Sequence, residues 1–93
     1  MLREIVIEME IKASAEREVA RMQDILPEVK ANKKGEPLRD FANHYAEDSK
    51  YFLEKGKYVE AFEAAIIAWA YIDIGLKLKL LKIPKNLSKH FTA

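Results

Sequence analysis

Gly56 is the residue that most constrains this chain. It ends a run of apolar positions, Leu38, Phe41, Tyr45, Ser49 or Asp48, and Phe52, spaced three and four apart as on one face of a helix. Only a residue or two separates it from Tyr58, where a second run begins. Glycine reaches the left-handed backbone that closes a helix at little steric cost. Two helices joined by so short a link lie antiparallel and side by side. The sequence therefore predicts a helical hairpin, with helices over about 37–55 and 58–82.

The second helix of the hairpin carries two apolar stripes. One is Phe62, Ala65, Trp69, Ile72, Leu76 and Leu80; the other is Ala64, Ile67, Tyr71, Ile74 and Leu78. A face that wide implies burial on two sides. Either this helix is central in a bundle, or its outer face meets a second subunit. Pro84 stops the pattern, and 84–93 reads as a loose tail or short turn.

Ahead of the hairpin, Ile7, Ile11, Ala15, Val19, Met22, Leu26 and Val29 form one more stripe, which predicts a helix over about 2–31. Ile5, Ile7, Met9 and Ile11 also alternate in a strand-like way, but no turn signal or partner strand accompanies them. Pro27 lacks a backbone donor, so a kink or break is expected near Ile25. The link Asn32-Lys33-Lys34-Gly35-Glu36-Pro37 reads as a loop, with Gly35 suited to a left-handed helix end and Pro37 to the first turn of the next helix. Together these features predict an all-α fold, a three-helix antiparallel bundle in a single domain over 1–93.

A chain of 93 residues has room for one core. With no cysteine, disulfides, thiolate metal sites and cysteine nucleophiles are excluded. Arg3, Glu4, Glu8, Glu10 and Lys12 break up what would be a signal peptide's apolar stretch, and the longest apolar run, Ala64 to Ile72, falls far short of the roughly 20 residues of a membrane span. A cytoplasmic location without membrane contact is expected. Net charge is +1 but unevenly spread: residues 1–73 hold 11 basic and 15 acidic side chains, whereas 74–93 hold five lysines and no acid. Lys77, Lys79, Lys82, Lys85 and Lys89 either complement the carbonyl end of a helix or present a patch to nucleic acid or an acidic partner.

The run Tyr45-Ala46-Glu47-Asp48-Ser49-Lys50-Tyr51-Phe52-Leu53-Glu54-Lys55-Gly56-Lys57-Tyr58-Val59-Glu60-Ala61-Phe62-Glu63-Ala64, with the later Ala68-Trp69-Ala70-Tyr71-Ile72-Asp73-Ile74-Gly75, resembles the archaeal domain of unknown function 357 family. That family's pattern is a Tyr and an Asp, then a Tyr-Phe-Leu-x-x-Gly turn, then an Ala-Phe-x-Ala helix ending in an Asp near a small residue. The resemblance covers about Val19 to Pro84 and leaves residues 1–12 outside. It implies an archaeal source and a spectrin-repeat-like bundle, and no activity.

Several residues invite a functional reading. Asp48 falls on or beside an apolar stripe, where a carboxylate needs a partner. It is either a ligand-binding or acid/base carboxylate in a groove between helices, or a boundary residue that bonds to a tyrosine or lysine and fixes the packing. Asp73 stands four residues before Lys77, the spacing of a modest helix ion pair; positions matching it in the family often carry Asp. About 13 Å should separate Asp48 and Asp73 along the hairpin, too far for a carboxylate pair acting on one bond. Tyr45, Tyr71 and Trp69, with Tyr51 and Tyr58, read as core aromatics, or as a partner-facing patch if exposed. The candidate binding set is thus Asp48, Asp73, Tyr45, Tyr71 and Trp69.

Arg39 and His44 match the Arg-x4-His spacing of HEPN ribonucleases, which are also helical and often dimeric, but here the pair lies early in the hairpin, whereas in those proteins it usually follows the hairpin. The plainer reading is two solvated residues. No metal site is expected of His44 and His90, and no cofactor, phosphate loop or nucleophile elbow is indicated. The sequence points away from catalysis and towards an interaction or scaffold module that self-associates, with a dimer expected and a protein partner the other candidate. RNA binding or processing, and a small ligand held between helices, are the alternatives.

Overall fold

The computed structural model describes residues 2–91 of the chain. Three long helices account for most of it: α1 (Leu2–Ile25), α2 (Glu36–Glu54) and α3 (Tyr58–Lys77). A two-stranded antiparallel clasp joins β1 (Lys30–Ala31) to β2 (Leu81–Lys82). A fourth helix, a 3-10 segment over Lys85–Phe91, follows. Among the described residues the fold is all-α apart from this clasp, with four helices longer than a single turn where the hydrophobic pattern predicted three.

Each boundary has a local cause. α1 ends at Ile25, two residues ahead of Pro27, and the chain continues as a 3-10 turn over Leu26–Glu28. It is therefore shorter than the expected 2–31, and Lys30–Ala31 is strand. Pro37 sits in the first turn of α2, where its missing N–H removes nothing a helix would use. At the end of α2, Gly56 takes φ 74°. Its amide donates to the Leu53 carbonyl at 3.0 Å, and that of Lys57 donates to the Phe52 carbonyl at 2.9 Å. This is a Schellman cap with glycine at its left-handed position.

α3 stops at Lys77, short of the expected residue 82, by the same device. The Lys79 amide donates to the Leu76 carbonyl at 3.1 Å and that of Leu80 to the Gly75 carbonyl at 2.8 Å, with Lys79 itself at φ 61°. Leu80 and Leu81, read from the pattern as helical, thus leave the helix. Leu81 becomes one of the largest fully buried side chains of the core. Gly35 corrects a second expectation. It is not left-handed (φ −84°) but buried, and its amide donates to the Asn32 side chain at 2.8 Å.

The core is built more from alanines than from large side chains. α2 buries Ala42, Ala46 and Ser49; α3 buries Ala61, Ala64, Ala65, Ala68 and Ile72. Small residues on both helices let their axes approach closely. The buried Ser49 hydroxyl donates to the Ala46 carbonyl of its own helix at 2.7 Å, so it adds no unsatisfied group. α1 supplies Ala15, Val19, Met22 and Ile25 from the other side. Met22, Ile25, Ile72 and Leu81 are nearly or wholly buried, each contributing about 1.5–3 kcal/mol by area.

The segment after Pro84 is no loose tail over its described length. Phe91 stacks on Trp69 at 5.6 Å between ring centroids, and the Trp69 indole N–H donates to the His90 carbonyl at 2.8 Å. Thr92 and Ala93, the end of the expected tail, lie outside the described residues.

The two ends of the elongated molecule, 50 × 23 × 17 Å, differ. At one end lies the clasp. At the other is the Gly56 turn, which α1 passes near Lys12, whose Nζ is 5.8 Å from the Tyr58 ring centroid. Leu2–Glu10 run on beyond the turn, about 14 Å of helix at 1.5 Å per residue. All of these residues are exposed.

Candidate functional site

α3 is central: it packs on α1 and α2 together. Helical geometry spreads its side chains around the axis at about 100° per residue, so contact with two neighbours still leaves a third sector. That sector carries Val59, Phe62, Ile66, Ile67, Ile74 and Leu78, all exposed, Leu78 at 62%. Of the two alternatives read from the sequence, the helix is the central one; its outward face also exposes these apolar side chains, among the charged Glu63 and Lys77.

The candidate residues from the sequence do not converge. Tyr45 and Tyr71 meet, with centroids 5.8 Å apart, and Tyr71 also stacks on Phe41 at 5.3 Å. Phe41 is 51% exposed, so the three rings form a ladder from the α2–α3 seam to the surface. Trp69, two residues before Tyr71, projects from nearly the opposite side of α3 and is engaged by Phe91 and His90. Asp73 is buried at 8% exposure, with Oδ2 2.8 Å from Lys77 Nζ. The i,i+4 spacing produces the ion pair that it suggests, on a carboxylate more buried than a surface pair.

Asp48 is exposed, and Ser49 takes the buried place on α2. The stripe through Phe41, Tyr45, Asp48 and Phe52 is displaced by about one residue from the true contact face, Ala42, Ala46 and Ser49. The apolar weight of the aromatic rings conceals it. A groove of about 500 Å³ does run between α1 and α2, lined by Met22, Leu26, Asn43, Glu47 and Lys50 among others, but Asp48 is not part of its lining.

Arg39 is partly buried and His44 exposed. Five residues apart on one helix, they are rotated by about 140° from each other. His90 lies by Arg17, Arg21 and Asp24 along α1. Among the described residues, no group of three or more His, Asp or Glu side chains is placed to hold a metal ion. No helix among them is long and apolar enough to cross a membrane.

Two features escaped the sequence pattern. Glu18 is buried at the α1 surface, 3.1 Å from Arg21 and 3.7 Å from Arg17; its place in the α1 stripe one residue before Val19 is the only hint. The lysines of the C-terminal segment also gain company. Strand pairing sets Lys30 directly opposite Lys82, and Lys33 and Lys34 follow in the adjoining turn. The clasp therefore gathers lysines from two segments some fifty residues apart.

The geometry has relatives. A crystal structure of a protein from Archaeoglobus fulgidus, a member of the DUF357 family, superposes with a TM-score of 0.76 at 32% sequence identity, over 84% of this chain and 99% of that one. The family model, described as protein of unknown function (DUF357), matches residues 9–81. The chain belongs to the DUF357 family. No curated protein matches it. The family match runs from the exposed part of α1 to the first residue of β2, so the hairpin, Asp73 and the clasp up to Leu81 are within the family pattern, and Lys82 is not. Leu2 to Glu8 fall outside it.

Proposed function

We propose that this DUF357 protein is a helical interaction module, a scaffold rather than an enzyme, that self-associates through the outer face of α3. One observation carries the reading: a helix that already packs on two neighbours exposes Val59, Phe62, Ile66, Ile67, Ile74 and Leu78 on its remaining side. Phe41, held against Tyr71, extends that apolar surface onto α2. So many exposed apolar side chains on one helix face, even with Glu63 and Lys77 among them, mark a surface that another molecule covers. A central strip of branched aliphatic and aromatic side chains suits a helix packing on its own copy, because a two-fold interface needs a self-complementary patch.

Light scattering from about 1 µM to about 1 mM tests this, since a weak helical dimer dissociates in that range. The mass should rise towards that of two chains. Ile66→Glu, at the middle of the exposed face, should hold it at one chain while helical circular dichroism is unchanged. A wild-type monomer at every concentration would remove the reading.

A further inference from the structure

The α1 overhang and the clasp carry opposite charge, although Lys55 and Lys57 flank the turn and Glu28 borders the clasp beside Lys30 and Lys82. At the turn end, the α1 overhang from Leu2 to Glu10 exposes Leu2, Ile5, Val6, Ile7 and Met9 together with Glu4, Glu8 and Glu10, against a single Arg3. At the other end, the clasp exposes Lys30, Lys33, Lys34, Lys79, Lys82 and Lys85. Among the described residues, none of these six has a carboxylate within ion-pair distance. Each end also bears an internal repulsion. Glu4 and Glu8 are four apart on one helix face, where like charges disfavour each other. Lys30 and Lys82 stand directly opposite across the strands, another unfavourable like-charge pair. A cleft between the lysines is floored by Ala31 and Leu80, so it offers apolar contact as well as charge.

From these observations we infer that the overhang of one copy docks on the clasp of a second, in an antiparallel two-fold dimer. This inference rests on the self-association reading for α3. Two α3 faces centred near Ile67 can pack parallel or antiparallel. The parallel arrangement sets lysine clasp on lysine clasp. The antiparallel arrangement brings the turn end of each copy level with Lys77 of the other. The overhang, about 14 Å long, then lies alongside the segment from Lys79 to Lys85. The groove lined by Glu10, Ile11, Ser14, Val59 and Phe62 makes the overhang continuous with the α3 face, so one interface covers both. Two-fold symmetry makes the contact twice, and both like-charge repulsions are relieved in each.

A charge swap in the full chain, read by sedimentation equilibrium, tests the docking. Glu4→Lys with Glu8→Lys gives a chain basic at both ends, and Lys79→Glu with Lys82→Glu gives one acidic at its overhang and depleted of positive charge at its clasp. Each alone should raise the dimer Kd by about tenfold or more, and mixing the two should restore a mixed dimer to within about threefold of wild type. Should the clasp variant lose helical circular dichroism, Lys33→Glu with Lys34→Glu replaces it, outside the strands. Wild-type dimerisation that neither reversal changes would overturn the docking and leave the α3 reading standing; a wild-type monomer throughout would remove both. If the lysine reversal abolishes binding of a single-stranded RNA probe and spares the dimer, the clasp belongs to nucleic acid and the overhang contact is refuted.

Discussion

The two ends of the α2–α3 hairpin are closed by the same hydrogen-bond motif, with different residues at its key position. At Gly56 the left-handed position is glycine, and the cap is made within seven residues of sequence. After α3 the left-handed position is Lys79, and the cap works because the next residues are held elsewhere. The Leu80 carbonyl accepts from the Asn32 amide at 3.1 Å, and Leu81 is buried beside Gly75. The first turn is specified by backbone preference. The second is specified by tertiary contact with a strand some fifty residues earlier in the chain. A local device is legible and tolerant; a non-local one is hidden in the sequence and sensitive to the residues that meet there.

The sharpest way to break the comparison is at Gly35. A Cβ there would overlap the Leu80 carbonyl, a backbone group fixed by the clasp. Gly35→Ala should therefore cost about 3 kcal/mol, the upper end of overpacking, and lower the melting temperature by more than 10 °C for a domain of this size. Urea denaturation measures it, and a loss under about 1 kcal/mol would mean that the clasp end is as forgiving as the turn. Gly75→Ala comes next. Its Cβ would meet the Leu81 side chain, which can shift where a carbonyl cannot. A loss of about 2 kcal/mol is expected, and Leu81→Ala in the same chain should reduce the added cost of the glycine change, since the two residues share one contact.

The same distinction explains what could be read beforehand. The hairpin, the break before Pro27 and the i,i+4 pair of Asp73 with Lys77 all depend on residues within a turn or two of each other, and all were legible. The clasp was not, because two-residue strands carry no periodicity and Lys30–Ala31 sits where helix was expected. The contact face of α2 was misread by about one residue because alanine and serine contribute little to an apolar count, although they decide how closely helices pack. For that reason Asp48 reads as on or beside the apolar stripe, with Ser49 as its alternative; Ser49 holds the buried place. Among the candidate site residues, Tyr45 and Tyr71 do meet, but Trp69 faces elsewhere. Positions 69 and 71 lie about 200° apart on a helix, so their nearness in sequence separates them in space.

Gly56→Ala sharpens the comparison at the turn. Nothing crowds a Cβ there, with only the Tyr58 hydroxyl near at 3.9 Å, so the cost is the left-handed backbone alone. About 1 kcal/mol should be lost. This is smaller than either clasp glycine, even though Gly56 is the residue that the sequence announces most clearly. A loss above about 3 kcal/mol would show that the turn holds a tertiary contact beyond its backbone geometry.

Lys79→Gly is the smallest and most discriminating change. Lysine at φ 61° bears the left-handed penalty, about 1 kcal/mol or slightly more, which glycine would remove. Glycine also loses more backbone entropy on folding, and this offsets part of the gain. The net expectation is a stabilisation of about 0.5 kcal/mol, read as a higher urea midpoint with unchanged slope. The sign is what matters. A gain means that the clasp carries a strained residue whose cost is met by Asn32, Gly35 and Leu81 around it, so the fold at this end is imposed from outside the cap. A loss instead means that the Lys79 side chain contributes to the folded state, and the position is then held by the side chain rather than in spite of it.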